Sequence, residues 1–171
     1  MIASLSRTGD RRELLVGPLA YGAAITFVTA YYWRHPLHHR SLHLLPPFHK
    51  VVVRDSLVGI VSMMVLCAGD GFAALVGYHF GRDKLPWSSH KSAQGSVAFL
   101  LAAYTFTQLY VLFFILNGWV RADIELVVKL SVHLVAVVSV SALVETLPIL
   151  ESWDNVTVFL TAFGMMKYFG Y

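Results

Sequence analysis

The stretch Cys67–Ser96 begins inside an apolar run and ends in a polar one. Its sequence is CAGDGFAALVGYHFGRDKLPWSSHKSAQGS. Asp70 lies between two glycines within this run, and Arg82, Lys84 and Lys91 follow in the next polar stretch. A carboxylate at membrane depth costs on the order of 2.5 kcal/mol or more, so by default such a residue marks a functional site. The stretch predicts a site for a ligand that carries negative charge, together with a metal ion.

The anion-binding part of this site is predicted where the polar stretch enters the next helix, at Lys91–Ser96 (KSAQGS). The free N–H groups and the positive dipole end of a helix N-terminus favour an anion, and Gly95 lets the backbone approach closely. The residues expected to contact phosphate groups are Arg82, Lys84, Lys91, Ser92, Gly95 and Ser96. A positively charged loop attracted to lipid headgroups explains the same spacing equally well.

Further acids lie near the C-terminal end, at Glu145, Glu151 and Asp154, with Asn155 beside them. Phosphoryl transfer requires cations around the phosphates, carboxylates that hold Mg²⁺ and a group that positions the attacking hydroxyl. Asp70 and these acids could supply the carboxylates, and apolar helices could hold an apolar acceptor. A structural ion pair is the alternative explanation for Asp70.

The composition predicts an all-α integral membrane protein. Hydrophobic residues make up 57% of the 171 residues, charged residues 13%, and the mean hydropathy is +0.63, whereas roughly a quarter of a soluble domain is charged. The net charge of +3 is scattered between apolar runs and forms no patch for nucleic acid. Cys67 is the single cysteine, which excludes an intrachain disulfide framework and a cysteine zinc site.

Five apolar segments predict about five transmembrane helices within a single membrane-embedded domain, residues 1–171. Their approximate ranges are 14–33, 56–81, 95–117, 126–147 and 155–169, and the last is short for a crossing. The second segment is somewhat longer than one crossing, so we expect a break at residues 69–71, in a place buried by protein or lining a wet cavity.

Small residues recur every fourth position in the second segment and predict a helix-packing seam. They are Gly69, Ala73, Gly77 and Gly81. In the fourth segment, His133 is predicted to be a hydrogen-bonded interior residue. Residues 34–54 hold five of the eight histidines. Because prolines interrupt this region and it lacks cysteine partners, we interpret it as a solvated basic loop at the membrane surface, with a metal site as the less favoured alternative.

The run AGDGFAALVGYHFGRDKLPWSSHKSAQGS resembles the signature of the CTP-dependent polyprenol kinases, the phytol and farnesol kinase group with dolichol kinase as a more distant relative. Those proteins carry an acidic-glycine motif, a small-residue helix, a Lys-Leu-Pro step and a Lys-Ser-x-x-Gly-Ser motif in this order. Weaker matches lie at Ser6–Pro18 and Val144–Pro148, with Asp-Asn-Val-Thr at 154–157 after them.

The resemblance implies transfer of the γ-phosphate of CTP to the hydroxyl of a long-chain isoprenoid alcohol, with phytol as the favoured substrate. The products would be the isoprenyl phosphate and CDP. It implies that Asp70 is an essential acid and a metal ligand, with Asp154 as a second Mg²⁺ ligand and Glu145 as a further acid. By the same resemblance, the residues that serve the nucleotide phosphates are Lys84, Lys91, Ser92, Gly95 and Ser96.

The resemblance also carries expectations about the whole protein. Plant members often have Asp at the position of Ala74 and a basic pair at Tyr78-His79. Members normally have additional N-terminal spans, so we expect an N-terminally shortened chain. A chloroplast membrane is implied for phytol, and the endoplasmic reticulum for farnesol or dolichol. The expected partners are the isoprenoid alcohol and membrane lipid. The alternatives are a cytidylyltransferase-like enzyme that forms a CDP-lipid and a non-catalytic membrane module.

Overall fold

The computed structural model describes residues 11–33, 52–117, 123–148 and 153–171. Almost all of this part is helical: α1 (Arg11–Trp33), α2 (Val52–Met64), a π-helical segment (Val65–Asp70), α3 (Gly71–Phe80), α4 (Ala93–Leu116), α5 (Ile124–Thr146) and α6 (Asp154–Tyr168). An antiparallel hairpin of β1 (Lys84–Leu85) and β2 (Ser88–Ser92) connects α3 to α4. The predicted all-α architecture is confirmed, and the hairpin is an addition that was not predicted.

Three helical stretches of the described residues are long and apolar enough to cross a membrane. They are Leu57–Phe80, Ala93–Leu116 and Ile124–Thr146, with mean hydropathies of 1.9, 1.9 and 2.2. Leu19–Ala30 within α1 is a shorter apolar stretch. The 15 residues of α6 rise only about 23 Å, against a hydrocarbon core of about 30 Å. That all five segments cross, and that residues 1–171 form one domain, stays a prediction.

Large apolar side chains cover the outer as well as the inner faces of α4 and α5. On α4, Phe99 is fully buried while Leu101 is 65% exposed; on α5, Leu134 is fully buried while Val132 is 65% exposed. A helix that is apolar all round is typical of a membrane span, because lipid solvates its outer face. The exposed faces therefore support the membrane assignment.

The core lies around α2 and the π-helical segment, which pack against α4 and α6, and α5 completes it through its contacts with α4 and α6. Among its fully buried side chains are Leu66 of the π-helical segment, Phe99 of α4, Leu134 of α5 and Met166 of α6. Helix α1 packs against α2 and α6. The polar residues discussed below therefore lie at the edge of a well-packed apolar cluster.

The predicted hydrogen bond of His133 is confirmed, and the residue is half-buried. Its Nδ1 atom lies 3.2 Å from the Tyr171 hydroxyl, at hydrogen-bond distance, and its ring stacks on Phe169 with a centroid distance of 4.2 Å. The histidine loop predicted at residues 34–54 lies outside the described residues, except for its last three positions. Glu151 also lies outside them.

The predicted small-residue seam packs the second membrane segment against α4. A Cβ atom added at Gly69 would lie 2.8 Å from the Phe99 ring. One added at Gly77 would lie 3.3 Å from Ser92 Oγ and 3.8 Å from the Cα of Gly95. The glycines therefore allow close contact between the two helices, and the prediction of a seam is confirmed.

The predicted break at residues 69–71 is wrong. The backbone stays helical there, with φ −64° and ψ −41° at Asp70 and φ −58° and ψ −46° at Gly71. The irregularity takes the form of a six-residue π-helical segment that ends at Asp70. Gly69 is needed because the ring of Phe99 approaches it closely, so the glycine reflects packing rather than a turn.

We expect Gly77→Leu to destabilise the protein by about 1–3 kcal/mol, the usual cost of overpacking a close contact. The matched control is Gly164→Leu, because a Cβ atom at this α6 position meets nothing within 4 Å. Unfolding of the detergent-purified variants, followed by circular dichroism, measures the difference. Equal stabilities of the two variants would contradict the close packing of α3 on α4.

Candidate active site

The centre of the candidate site is a buried ammonium in contact with one buried and one half-buried carboxylate. Lys91 is 8% exposed, and its Nζ atom donates hydrogen bonds to Glu145 Oε1 and, at 2.9 Å, to Asp154 Oδ2. Glu145, 3% exposed, lies in the last turn of α5, and Asp154 is the first residue of α6. Three residues that the sequence predicted separately are therefore in direct contact.

The β-hairpin directs Lys91 towards these acids. Lys84 pairs with Ser92 across the two strands, and the carbonyl of Asp83 accepts a hydrogen bond from the N–H of Ala93 at 2.9 Å. The side chain of Gln94 also donates to Asp83 Oδ2. Within β2, Lys91 is buried while its neighbour His90 is exposed.

The two acids keep Lys91 charged. Burial of the ammonium lowers the pKa of Lys91, but the charges of Glu145 and Asp154 and their hydrogen bonds raise the pKa by more, so the net shift is upward from 10.5. A raised folded-state pKa stabilises the protein fully below the unfolded value, and this contribution is lost only as the pH rises through the folded value. The Lys91 ammonium is therefore charged at physiological pH.

A second polar contact joins α1 to the end of the π-helical segment. The hydroxyl of Tyr21 donates a hydrogen bond of 2.8 Å to Asp70 Oδ2. Helix α6, whose first residue is Asp154, packs against both α1 and the π-helical segment. Sequence reasoning missed Tyr21. Its only signal was a hydroxyl within an apolar run, which needs a hydrogen-bond partner when buried.

Ser92 and Gly95 have structural roles at the start of α4. Ser92 is the N-cap, and its Oγ accepts a hydrogen bond of 3.2 Å from the N–H of Gly95. Ser96 Oγ donates to the Ser92 carbonyl at 3.3 Å. The helix begins at Ala93 rather than at the predicted residue 95, because the Ser92 cap satisfies an N–H of the first turn. Phosphate binding by Ser92, Gly95 and Ser96 stays a prediction.

Lys91 is not grouped with Arg82 and Lys84, the other two cations predicted to contact phosphate. Arg82 and Lys84 are exposed beside the hairpin, and within the described part of the chain neither forms an ion pair. The side chain of Lys91 instead points inward to the two acids. The three cations predicted to contact phosphate together are therefore divided between a buried and an exposed position.

The donor chemistry of the three acids suits Mg²⁺, which prefers carboxylate oxygens. In the described ranges, however, no group of three or more His, Cys, Asp or Glu residues surrounds a common metal position. Asp154 Oδ1 accepts a hydrogen bond of 2.9 Å from the N–H of Asn155, and its Oδ2 accepts from Lys91. The assignment of Asp70 and Asp154 as metal ligands stays a prediction.

No family model and no solved structure matches the chain. Over 162 residues, 94% of the chain, it is 36% identical to a chloroplastic farnesol kinase of Arabidopsis thaliana, of which it covers 45%. Over an alignment of 174 positions that includes the whole chain, it is 30% identical to the chloroplastic phytol kinase 1 of the same plant, of which it covers 49%. Over most of its length the chain is therefore similar to members of the polyprenol kinase family. It spans just under half the length of these relatives.

We expect Lys91→Met to destabilise the protein by about 3–5 kcal/mol, because it leaves buried carboxylates without their counter-ion. Lys84→Met is the matched control; its side chain is exposed, and surface substitutions usually change stability by less than about 0.5 kcal/mol. Unfolding of both variants in detergent measures the difference. A Lys91→Met protein as stable as the control would contradict the buried ion pairs.

Proposed function

We propose that this protein transfers the γ-phosphate of CTP to the hydroxyl of a long-chain isoprenoid alcohol, phytol first among them, giving the isoprenyl phosphate and CDP. The observation that carries this proposal is the buried contact of Lys91 with Glu145 and Asp154 at the ends of apolar helices. Relatives named farnesol kinase and phytol kinase support the same substrate class. Their chloroplastic names support a chloroplast membrane as the location.

The charge balance of this group favours a divalent cation. One ammonium faces two carboxylates, and an uncompensated buried charge is costly. In the proposal, Asp70 and Asp154 hold Mg²⁺, which when bound neutralises charge on the phosphates of the donor. Lys91 remains hydrogen-bonded to Glu145 and Asp154, so its ammonium keeps both of these acids in place.

The donor phosphates are proposed to bind between the hairpin and the start of α4. Arg82 and Lys84 are exposed there and free of carboxylate partners among the described residues, so both can reach a soluble nucleotide. Lys91 acts on the transferred phosphate from its buried position. Ser92, Gly95 and Ser96 form the first turn of α4, where the helix dipole favours an anion.

The acceptor alcohol is proposed to approach from the lipid side. Its chain would lie along exposed apolar residues of α3 and α4 such as Leu75, 55% exposed, and Leu101. Its hydroxyl would then reach the acids, one of which accepts the proton as the phosphate is transferred. An apolar surface beside a polar group is what an amphiphilic alcohol requires.

Incubation of the purified chain with labelled CTP and a panel of isoprenoid alcohols tests the proposal. We expect a labelled isoprenyl phosphate and CDP. Release of pyrophosphate with formation of a CDP-lipid would instead indicate a cytidylyltransferase-like reaction. A folded chain that binds no nucleotide would indicate a non-catalytic membrane module.

Asp70→Asn is expected to reduce transfer by more than tenfold, equivalent to about 1.4 kcal/mol. The change keeps the volume of the side chain but removes the charge proposed to hold Mg²⁺. Asp123→Asn is the matched control, because Asp123 is exposed and its side chain makes no capping hydrogen bond at the start of α5. Initial rates at saturating CTP measure both variants. Retention of more than a tenth of wild-type turnover in Asp70→Asn would show that Asp70 is not a metal ligand.

Lys84→Ala is expected to raise the KM for CTP several-fold while leaving the KM for the alcohol unchanged, because an exposed ammonium acts on phosphate charge. Lys129→Ala on α5 provides the control, since Lys129 is also exposed. Varying each substrate in turn gives both constants. Equal increases in the two KM values for Lys84→Ala would argue for a general effect on folding.

A further inference from the structure

The hydroxyl of Tyr21 has two possible acceptors, both in the π-helical segment. Asp70 Oδ2 lies 2.8 Å from it and the carbonyl oxygen of Leu66 lies 3.4 Å from it. A phenol has one proton to donate, and the shorter bond to a carboxylate is the stronger. The hydroxyl is therefore bound chiefly to Asp70.

The packing of the ring does not explain this hydroxyl. Tyr21 lies in α1 and Asp70 is 49 positions further along the chain, so the bond joins two distant segments. A phenylalanine would fill the same space without the cost of placing a hydroxyl in an apolar environment. The acceptor also lies at the end of a π-helical segment, an uncommon form that frequently occurs at functional sites.

We propose that Tyr21 is a positioning residue that holds the carboxylate of Asp70 in the orientation required by a divalent cation. This inference rests on the metal-binding role proposed above for Asp70. The bond to Oδ2 restricts rotation of the carboxylate before the cation arrives, so the carboxylate loses less conformational freedom on binding. Hydrogen-bond partners of metal-binding carboxylates typically change metal affinity or activity by about 10–100-fold.

Titration of the purified full chain with Mn²⁺, followed by electron paramagnetic resonance, tests the inference without catalysis. Tyr21→Phe is expected to raise the Kd for Mn²⁺ about tenfold. Tyr104→Phe makes the same chemical change at a half-buried tyrosine of α4 packed on the core, and we expect its Kd to match the wild type. In an Asp70→Asn background, Tyr21→Phe is expected to have no further effect.

A second measurement avoids removal of the hydroxyl. 3-Fluorotyrosine at position 21 keeps the hydrogen bond, and its fluorine resonance is expected to broaden when paramagnetic Mn²⁺ binds at Asp70. The inference is overturned by a sharp resonance at saturating Mn²⁺, by a Kd for Tyr21→Phe within twofold of the wild type, or by a wild-type chain that binds no Mn²⁺.

The same samples separate this inference from the proposed function. A chain that binds Mn²⁺ through Asp70 and Tyr21 but phosphorylates no alcohol would contradict the kinase proposal and leave the positioning role standing. Transfer activity combined with unchanged Mn²⁺ binding in Tyr21→Phe would contradict the positioning role alone.

Discussion

The burial of Lys91 against two carboxylates is the constraint on which the rest of the site depends. An ammonium and two acids taken out of water are stable only if their geometry and hydrogen bonds are good. That requirement ties the end of β2, the last turn of α5 and the first turn of α6 to one point. These helix ends cannot move independently without leaving a charge buried and unpaired.

The close contact of α3 with α4 supports this arrangement from the other side. The hairpin leaves α3 and returns into α4, so the distance between the two helices determines where Lys91 lies. Glycines at 77 and 95 allow the helices to approach, because an added Cβ at Gly95 would lie only 3.1 Å from the Ala73 carbonyl oxygen. Small residues in the helix contact thus help to place a charged residue in the hairpin.

The helices were predictable because each is a long apolar run. The predicted span 95–117 agrees closely with α4 at Ala93–Leu116, and the predicted span 126–147 agrees closely with α5 at Ile124–Thr146. The hairpin was not predictable, since Ser88–Ser92 lacks the alternation of apolar and polar residues typical of a strand. Tertiary hydrogen bonds such as those between Asp83 and Gln94 hold it instead.

The sequence allowed us to predict which residues belong to the candidate site, but not which of them contact one another. An acid within an apolar run and a lysine before a helix are unusual enough to be noticed in a single sequence. The contact of Lys91 with Glu145 joins residues 54 positions apart, and that of Tyr21 with Asp70 joins residues 49 positions apart. No spacing rule relates such residues, so sequence reasoning assigned Lys91 to phosphate alone and overlooked Tyr21.

The positions of these groups along the helices bear on how a soluble donor could meet a lipid acceptor. Asp70 is separated from the end of α3 by its ten residues, a rise of about 15 Å, whereas the hairpin that carries Lys84 and Lys91 follows that end directly. Asp154 begins α6 and binds Lys91, and α6 also packs against the π-helical segment that ends at Asp70. Polar groups therefore lie at two levels, one beside the hairpin and one at Asp70. Under the proposed function, a triphosphate would need charge near the hairpin and an alcohol would need a partner for its hydroxyl near Asp70, and the two groups of polar side chains are placed to meet these two needs.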